Sequence, residues 1–274
     1  MGFIEKYRNI VSKNKSHVCV GLDSDFDKLP QTVRQFPDPQ GLFNNLIIEA
    51  TRDYVSAYKI NIAFYECRGA VGWMSLEATM KGIPEDIPVI IDAKRGDIGN
   101  TSKKYAQAIY EQLGADAVTL NPYMGIDAVQ PFLEYDGKCA FILCHTTNPS
   151  SAEFQHAMVK EDDSAAVQPL FELVARRAAE WNKTGCCGLV VGANFPEEIS
   201  RIIKIAPELP LLIPGIGAQK GSVRDVVTNL RDTDFMINSS RNIIFAGEGE
   251  DFQQEAASQA VALRDIINDL LERA

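Results

Sequence analysis

Ionisable side chains suited to acid–base chemistry lie at the ends of apolar segments. Asp92 and Lys94 end the run Val89–Lys94 and are two residues apart, so they share one face of a strand. Lys59 lies inside another apolar run, and Asp97 follows Lys94 by three residues. A lysine flanked by carboxylates stays protonated at neutral pH and can deliver a proton to a carbanion. The alternative is a structural salt-bridge network without chemistry.

A second group of residues is suited to binding a phosphate. Gly215 and Gly217 flank Ile216 in a turn that continues to Gln219, and Arg241 follows a later apolar run. Glycines let the backbone approach an anion closely, a helix N-terminus offers free N–H groups, and arginine binds phosphate in a bidentate way. A tight turn and a surface arginine are the alternative interpretation.

Eight short apolar runs alternate with amphipathic segments along the chain. Continuous apolar runs are typical of parallel strands covered on both faces. The predicted strands are His17–Asp23, Ala57–Phe64, Val89–Lys94, Ala117–Tyr123, Cys139–His145, Gly188–Ala193, Leu211–Ile216 and Asp234–Ser239. The predicted helices are Gly41–Tyr54, Ala70–Met80, Asn100–Leu113, Ile126–Glu134, Ala165–Asn182, Pro196–Ala206, Ser222–Leu230 and Asp251–Glu272.

Eight strand–helix units in this length predict an α/β fold, a single (β/α)8 TIM barrel over residues 1–274. An additional helix, Phe3–Lys13, is expected to cap the bottom of the barrel. A doubly wound sheet is the alternative, but the first strand is not followed by the glycine fingerprint typical of it. In a barrel, the candidate residues would meet at the carboxyl ends of the strands.

Charge and composition restrict the possible partners. The 274 residues carry a formal charge of −10, which argues against a nucleic-acid or anionic-membrane surface. No run is long enough to span a membrane, and the N-terminus lacks the apolar core of a signal peptide. The six cysteines show no metal-ligand spacing and lie in or beside apolar runs. We expect a soluble, reduced, cytoplasmic protein with a small-molecule substrate.

Other candidates carry less information. No dinucleotide or nucleotide-triphosphate motif occurs, so neither cofactor has support from the sequence. His145 ends the fifth strand and could line the barrel mouth, as could Asn121 and Tyr123 after the fourth. Thr101 could simply cap a helix. The long connection Thr146–Ala165 is either a lid or a solvated surface segment.

The pattern IIDAKRGDIGNTS at residues 90–102 resembles the signature of orotidine 5′-phosphate decarboxylases, in which Asp-x-Lys-x-x-Asp ends strand three. The similarity extends over nearly the whole chain. It includes GLD at residues 21–23, YKINIAFYE at 58–66, PGIGAQ at 214–219 and SSR at 239–241. The length and the TTNPS segment at 146–150 resemble the longer bacterial branch of that family.

The resemblance implies a role for each matching residue and no metal or organic cofactor. Lys94 would protonate C6 of the pyrimidine after carbon dioxide leaves, beside Asp92, Lys59 and Asp97. The substrate-binding residues that it implies are Asp23 for the ribose, Thr147 for the pyrimidine, Gly217, Gln219 and Arg241 for the phosphate, and Thr101. It also implies a homodimer in which Asp97 and Thr101 reach into the neighbouring subunit's site.

Two other functions compete with this one. A metal-dependent sugar-phosphate decarboxylase or aldolase on a related barrel shares a similar Asp-x-Lys run in strand three. A phosphate-binding barrel without catalysis is the second. The separate Lys59 and the pair Gln219 and Arg241 favour the nucleotide substrate over the first, and the intact charged residues argue against the second.

Overall fold

The strands close into an eight-stranded parallel barrel, which confirms the predicted (β/α)8 fold. The computed structural model describes residues 1–161, 166–184, 186–216 and 223–273. The barrel strands are β1 Val18–Gly21, β2 Ala57–Asn61, β3 Val89–Arg95, β4 Ala117–Leu120, β5 Cys139–His145, β6 Cys186–Val191, β7 Leu211–Pro214 and β8 Phe235–Ser239. Each strand pairs with the next in sequence, and β8 pairs with β1.

Helices follow the strands and surround the barrel. They are α1 Phe3–Asn14, α2 Gln31–Arg34, α3 Pro39–Thr51, α4 Ala63–Glu66, α5 Gly69–Gly82, α6 Gly99–Ala106, α7 Ile126–Leu133, α8 Ala152–Gln155, α9 Leu170–Trp181, α10 Pro196–Ile205, α11 Val223–Val227, α12 Arg241–Ile244 and α13 Phe252–Arg273. A π-helical segment, Gln107–Gln112, continues α6. In the described parts of the chain, no helix is long and apolar enough to cross a membrane.

The segment after β5 contains more regular structure than its sequence indicated. It contains α8 and a two-stranded antiparallel sheet of Met158–Val159 and Gln168–Pro169. The predicted helix from Ala165 begins only at Leu170, with Pro169 in an extended conformation at its N-cap. Proline disfavours helical backbone at the preceding residue, and this explains the later start.

Helix α1 closes the amino end of the barrel, as expected. Phe3 and Tyr7 are almost fully buried and pack with residues that point into the barrel. The Phe3 ring meets Phe141 of β5 edge-on, with 5.6 Å between the ring centroids. Because this end is filled by aromatic rings, the open end of the interior is the carboxyl end of the strands.

Candidate active site

The polar residues of the site lie one pleat above an apolar layer inside the barrel. Side chains two residues apart on a strand face the same side. Ala57, Ile90 and Ala117 belong to the buried interior cluster. Two residues further along the same three strands are Lys59, Asp92 and Thr119. The alternation of the strands therefore places these three polar side chains together at the mouth.

A chain of ion pairs connects the two lysines through Asp92. The Lys59 Nζ donates to Asp92 Oδ2 at 3.0 Å, and the Lys94 Nζ donates to Asp92 Oδ1 at 2.6 Å. The Lys59 Nζ also lies 3.4 Å from Asp23 Oδ1. The Lys59 side chain is only 6% exposed, whereas that of Lys94 is 49% exposed. Lys94 is therefore the cation that remains accessible to a ligand.

The charges in this chain stabilise one another in their ionised forms. Burial alone would raise the pKa of Asp92, but Lys59 and Lys94 outweigh it and hold that pKa well below its usual range. Burial alone would lower the pKa of Lys59, but Asp23 and Asp92 raise it above its ordinary value. At neutral pH the site therefore holds a fixed carboxylate between two positive charges.

Lys94 occupies an unusual backbone conformation. Its φ is 47°, in the left-handed region that non-glycine residues rarely adopt. Its N–H donates to Thr119 Oγ1 at 3.0 Å, and the same hydroxyl donates to Asp92 Oδ1 at 2.8 Å. The expected shared face of Asp92 and Lys94 thus arises from a local distortion of β3 and not from a regular strand.

A cavity of about 440 Å³ opens above the ion pairs. Its walls include four further residues that the sequence analysis selected: Asp23, Thr147, Gly215 and Arg241. Gly215 has a φ of 102°, a conformation that favours glycine. Lys59, Asp92 and Lys94 therefore share one cavity with Asp23, Thr147 and Arg241, which were predicted for the ribose, the pyrimidine and part of the phosphate site.

Part of the predicted phosphate site lies outside the described residues. This part comprises Gly217 and Gln219. Arg241, at the first position of α12, remains as the described cation on this side of the cavity.

Asp97 and Thr101 do not line the cavity of their own chain. Asp97 accepts a hydrogen bond from the N–H of Ile98 at 2.7 Å and lies beside a separate depression, together with Met124 and Asp127. Thr101 is half-buried in the first turn of α6, where no side chain caps the helix. The predicted four-residue Lys–Asp array is thus incomplete within the described residues of one chain.

Three weaker candidates lie elsewhere. His145 is fully buried, and its Nε2 lies 2.7 Å from Nε2 of His156. Burial and the nearby His156 lower the pKa of His145 to about 4. Asn121 and Tyr123 line a neighbouring apolar groove, not the cavity.

Sequence reasoning missed two residues of the site. Thr119 was not selected because a threonine inside a strand is a common residue. Gln155 was not selected because its role depends on a contact across the loop after β5: its side chain accepts from the N–H of Thr146 at 2.8 Å and donates to that residue's hydroxyl at 2.7 Å. The described residues contain no group of three or more histidine, cysteine or acidic side chains that could hold a metal ion.

The chain is similar in sequence and in structure to known proteins. The model of the orotidine 5′-phosphate decarboxylase / HUMPS family matches residues 16–255. Orotidine 5′-phosphate decarboxylase of Herpetosiphon aurantiacus is 46% identical over 95% of this chain and 96% of its own. That of Dehalococcoides mccartyi is 45% identical over the full length of both chains. The solved structure of Leishmania donovani OMP decarboxylase is 36% identical, with a TM-score of 0.81, and the match covers 97% of this chain and 100% of that one.

Proposed function

The chain belongs to the orotidine 5′-phosphate decarboxylase / HUMPS family, and on that premise we propose that it converts orotidine 5′-phosphate to uridine 5′-phosphate and carbon dioxide. The reaction would be the last step of uridine 5′-phosphate biosynthesis, in the cytoplasm, catalysed by one barrel domain. The observation that carries the proposal is the ion-pair chain from Lys59 through Asp92 to Lys94 at the base of the cavity.

Lys94 is the proposed proton donor. Loss of carbon dioxide from C6 leaves a carbanion that the pyrimidine ring delocalises poorly, so the enzyme must stabilise charge that appears only in the transition state. The half-exposed ammonium of Lys94 can provide that stabilisation and then give its proton to C6. The proton and the electron pair end in the new C6–H bond, and no metal or organic cofactor enters the scheme.

Asp92 is proposed to lie next to the departing carboxylate. It receives donors on both oxygens and remains ionised, so a second carboxylate placed beside it would be repelled in the ground state. The repulsion disappears when carbon dioxide leaves, and this contributes to lowering the barrier. Binding energy from the distant phosphate would offset the cost of bringing the carboxylates together.

Ribose, pyrimidine and phosphate contacts follow from the positions of the cavity walls. Asp23 is proposed to bind ribose hydroxyls, and Thr147 to contact the pyrimidine. Arg241 is proposed to hold the phosphate, together with Gly217 and Gln219 from the turn after β7. Because the protein is acidic overall, capture of a substrate that carries both a phosphate and a carboxylate should depend on these local contacts rather than on long-range attraction.

A homodimer is proposed to complete the array. Asp97 and Thr101 lie outside the cavity of their own chain and would reach the neighbouring subunit's site. The same end of the barrel exposes large apolar side chains: Ile98 is 56% exposed, Tyr123 85% and Phe154 65%. Exposed apolar residues clustered at one end of a barrel support a subunit interface there.

The decisive assay measures release of carbon dioxide from orotidine 5′-phosphate in excess EDTA. Full activity is expected, and it would eliminate a metal-dependent sugar-phosphate enzyme on the same barrel. Absence of activity both with and without added divalent metal would refute the proposed function.

The role of Lys94 is tested by Lys94→Ala. We expect turnover to be lost and binding of uridine 5′-phosphate to be largely retained, since the phosphate and ribose contacts remain. Lys13→Ala is a matched control, because Lys13 is exposed on α1 and pairs with the exposed Asp86. Near-normal turnover of Lys94→Ala would show that another group supplies the proton.

A further inference from the structure

We propose that Thr119 is a positioning residue that fixes the geometry between Asp92 and Lys94. The proposal rests on the function proposed above and extends it to a residue that acts through Asp92 and Lys94. Thr119 is 1% exposed, on β4 at the base of the cavity. Its single hydroxyl contacts one atom of each of the two reacting residues.

The hydroxyl uses its donor and its acceptor at the same time. It donates to Asp92 Oδ1 at 2.8 Å and accepts from the Lys94 N–H at 3.0 Å. A threonine hydroxyl has one proton and two lone pairs, so it can make both bonds simultaneously. Few other side chains of similar size could replace it: valine provides neither function, and only serine preserves both.

The need for such a side chain follows from the pairing of β3 with β4. Ile91 pairs with Val118 and Arg95 pairs with Leu120, so three residues of β3 lie opposite Thr119 alone. The register shifts within this bulge, and the partly buried Lys94 N–H donates to the Thr119 hydroxyl. A backbone N–H withdrawn from water requires an acceptor, and this hydroxyl supplies it. The same bond holds Lys94 in its left-handed conformation.

The position of the Lys94 ammonium depends on this hydroxyl in two ways. Thr119 fixes the backbone from which the Lys94 side chain extends, and it also orients the Asp92 oxygen to which the Lys94 Nζ bonds at 2.6 Å. Removal of the hydroxyl would leave Asp92 with its two lysine donors but would release both constraints on the proton donor. Ligand contacts at Asp23 and Arg241 are on other strand ends and would be unaffected.

The test compares Thr119→Val, which removes the hydroxyl and keeps the shape, with Thr119→Ser, which keeps the hydroxyl. We expect Thr119→Val to lower kcat about 100-fold, the order of magnitude that follows a small misplacement of reacting groups. Its KM and its affinity for uridine 5′-phosphate should stay within about threefold of wild type, since the ligand contacts at Asp23 and Arg241 are retained. Thr119→Ser should restore kcat to within about threefold of wild type.

Thr79→Val is the matched control for a buried threonine. Thr79 is also fully buried and makes two hydrogen bonds, to Ser75 O and from Asn44 Nδ2, but it lies on α5 away from the cavity. Thr79→Val should lower the melting temperature of the protein and leave kcat unchanged. If Thr119→Val does not fold, Thr119→Ala removes the same hydroxyl without placing a methyl group against Asp92.

Several results would overturn the positioning role. These are a wild-type kcat in Thr119→Val, an equal loss of kcat in Thr119→Ser, or a loss of kcat accompanied by an equal loss of product affinity. A different result is a wild-type protein that releases no carbon dioxide from orotidine 5′-phosphate. That result would refute the proposed function itself, and the positioning role with it.

Discussion

Replacement of Lys59 by methionine should destabilise the folded protein strongly. The substitution keeps the length of the side chain and removes its charge. Lys59 is 6% exposed and bridges two carboxylates, with its Nζ 3.0 Å from Asp92 and 3.4 Å from Asp23. Without it, Asp92 keeps only the half-exposed Lys94 among its described lysine partners, and Asp23 loses the only lysine that reaches it among the described ion pairs.

The magnitude follows from these distances. At an effective dielectric constant of about 20, each contact is worth about 5 kcal/mol of Coulomb energy. The methionine variant no longer bears the cost of desolvating an ammonium ion, so the net loss of stability is smaller than the sum of the two Coulomb energies. Removing one partner of a buried pair costs about 3–5 kcal/mol, and we expect a value in that range for the free energy of unfolding.

Lys94→Met is the matched control, since it removes the same charge from the other side of Asp92. The Lys94 side chain is 49% exposed, so its ion pair is partly screened by water and should contribute about 1 kcal/mol or less. Urea denaturation measures the difference. With a slope of about 3 kcal/mol per molar, Lys59→Met should lower the midpoint by about 1–1.7 M, and Lys94→Met by only about 0.3 M.

The comparison can refute the reasoning directly. Equal midpoints for the two variants would show that burial does not determine the strength of these ion pairs. A Lys59→Met variant as stable as wild type would show that the carboxylates do not need the buried cation.

Three further predictions concern the interface, the histidine pair and the phosphate site. Mixing inactive Lys94→Ala and Asp97→Ala subunits should restore about a quarter of wild-type activity, because half of the dimers are hybrids with one intact site. If no activity is recovered, Asp97 belongs to the site of its own chain. The pKa of His145 falls from 6.5 to about 4 on folding, so the free energy of unfolding should decrease as the pH is lowered through this window. The urea midpoint of His145→Gln, which does not titrate, should decrease less over the same pH range. Equal decreases of the two midpoints with pH would contradict this prediction. Arg241→Met should raise KM for orotidine 5′-phosphate about 10–100-fold in steady-state kinetics, as expected for the loss of a charged hydrogen bond. An unchanged KM would show that Arg241 does not bind the phosphate.

Strand positions were the most predictable part of the fold. The predicted strand Cys139–His145 matches the observed one at both ends, and the other predicted strands overlap their observed counterparts. Continuous apolar runs mark these strands because helices cover the outside of the barrel and side chains fill its inside. Helix starts were less predictable, as Leu170 shows, because Gln168 and Pro169 pair with Met158–Val159 in a short sheet that depends on contacts across the loop.

The candidate site was predictable where chemistry depends on residue type. Lys59, Asp92 and Lys94 were selected because charged groups on apolar strands are costly unless paired or used, and the structure brings all three together. His145 was not predictable in the same way. Its partner His156 is eleven residues away, and the contact depends on how the loop after β5 folds back.

The sequence by itself determined the barrel and the ionisable groups at its mouth, because the alternation of side chains along a strand and the cost of buried charge act locally. Tertiary structure alone decided how those groups are held. The register between β3 and β4 produces the bulge in β3, where Lys94 has its left-handed conformation. The same register places the Thr119 hydroxyl where it accepts from the Lys94 N–H. Tertiary structure also decided that Asp97 lies outside its own cavity, since it lies beside a depression lined by residues of α6 and α7, which pack together.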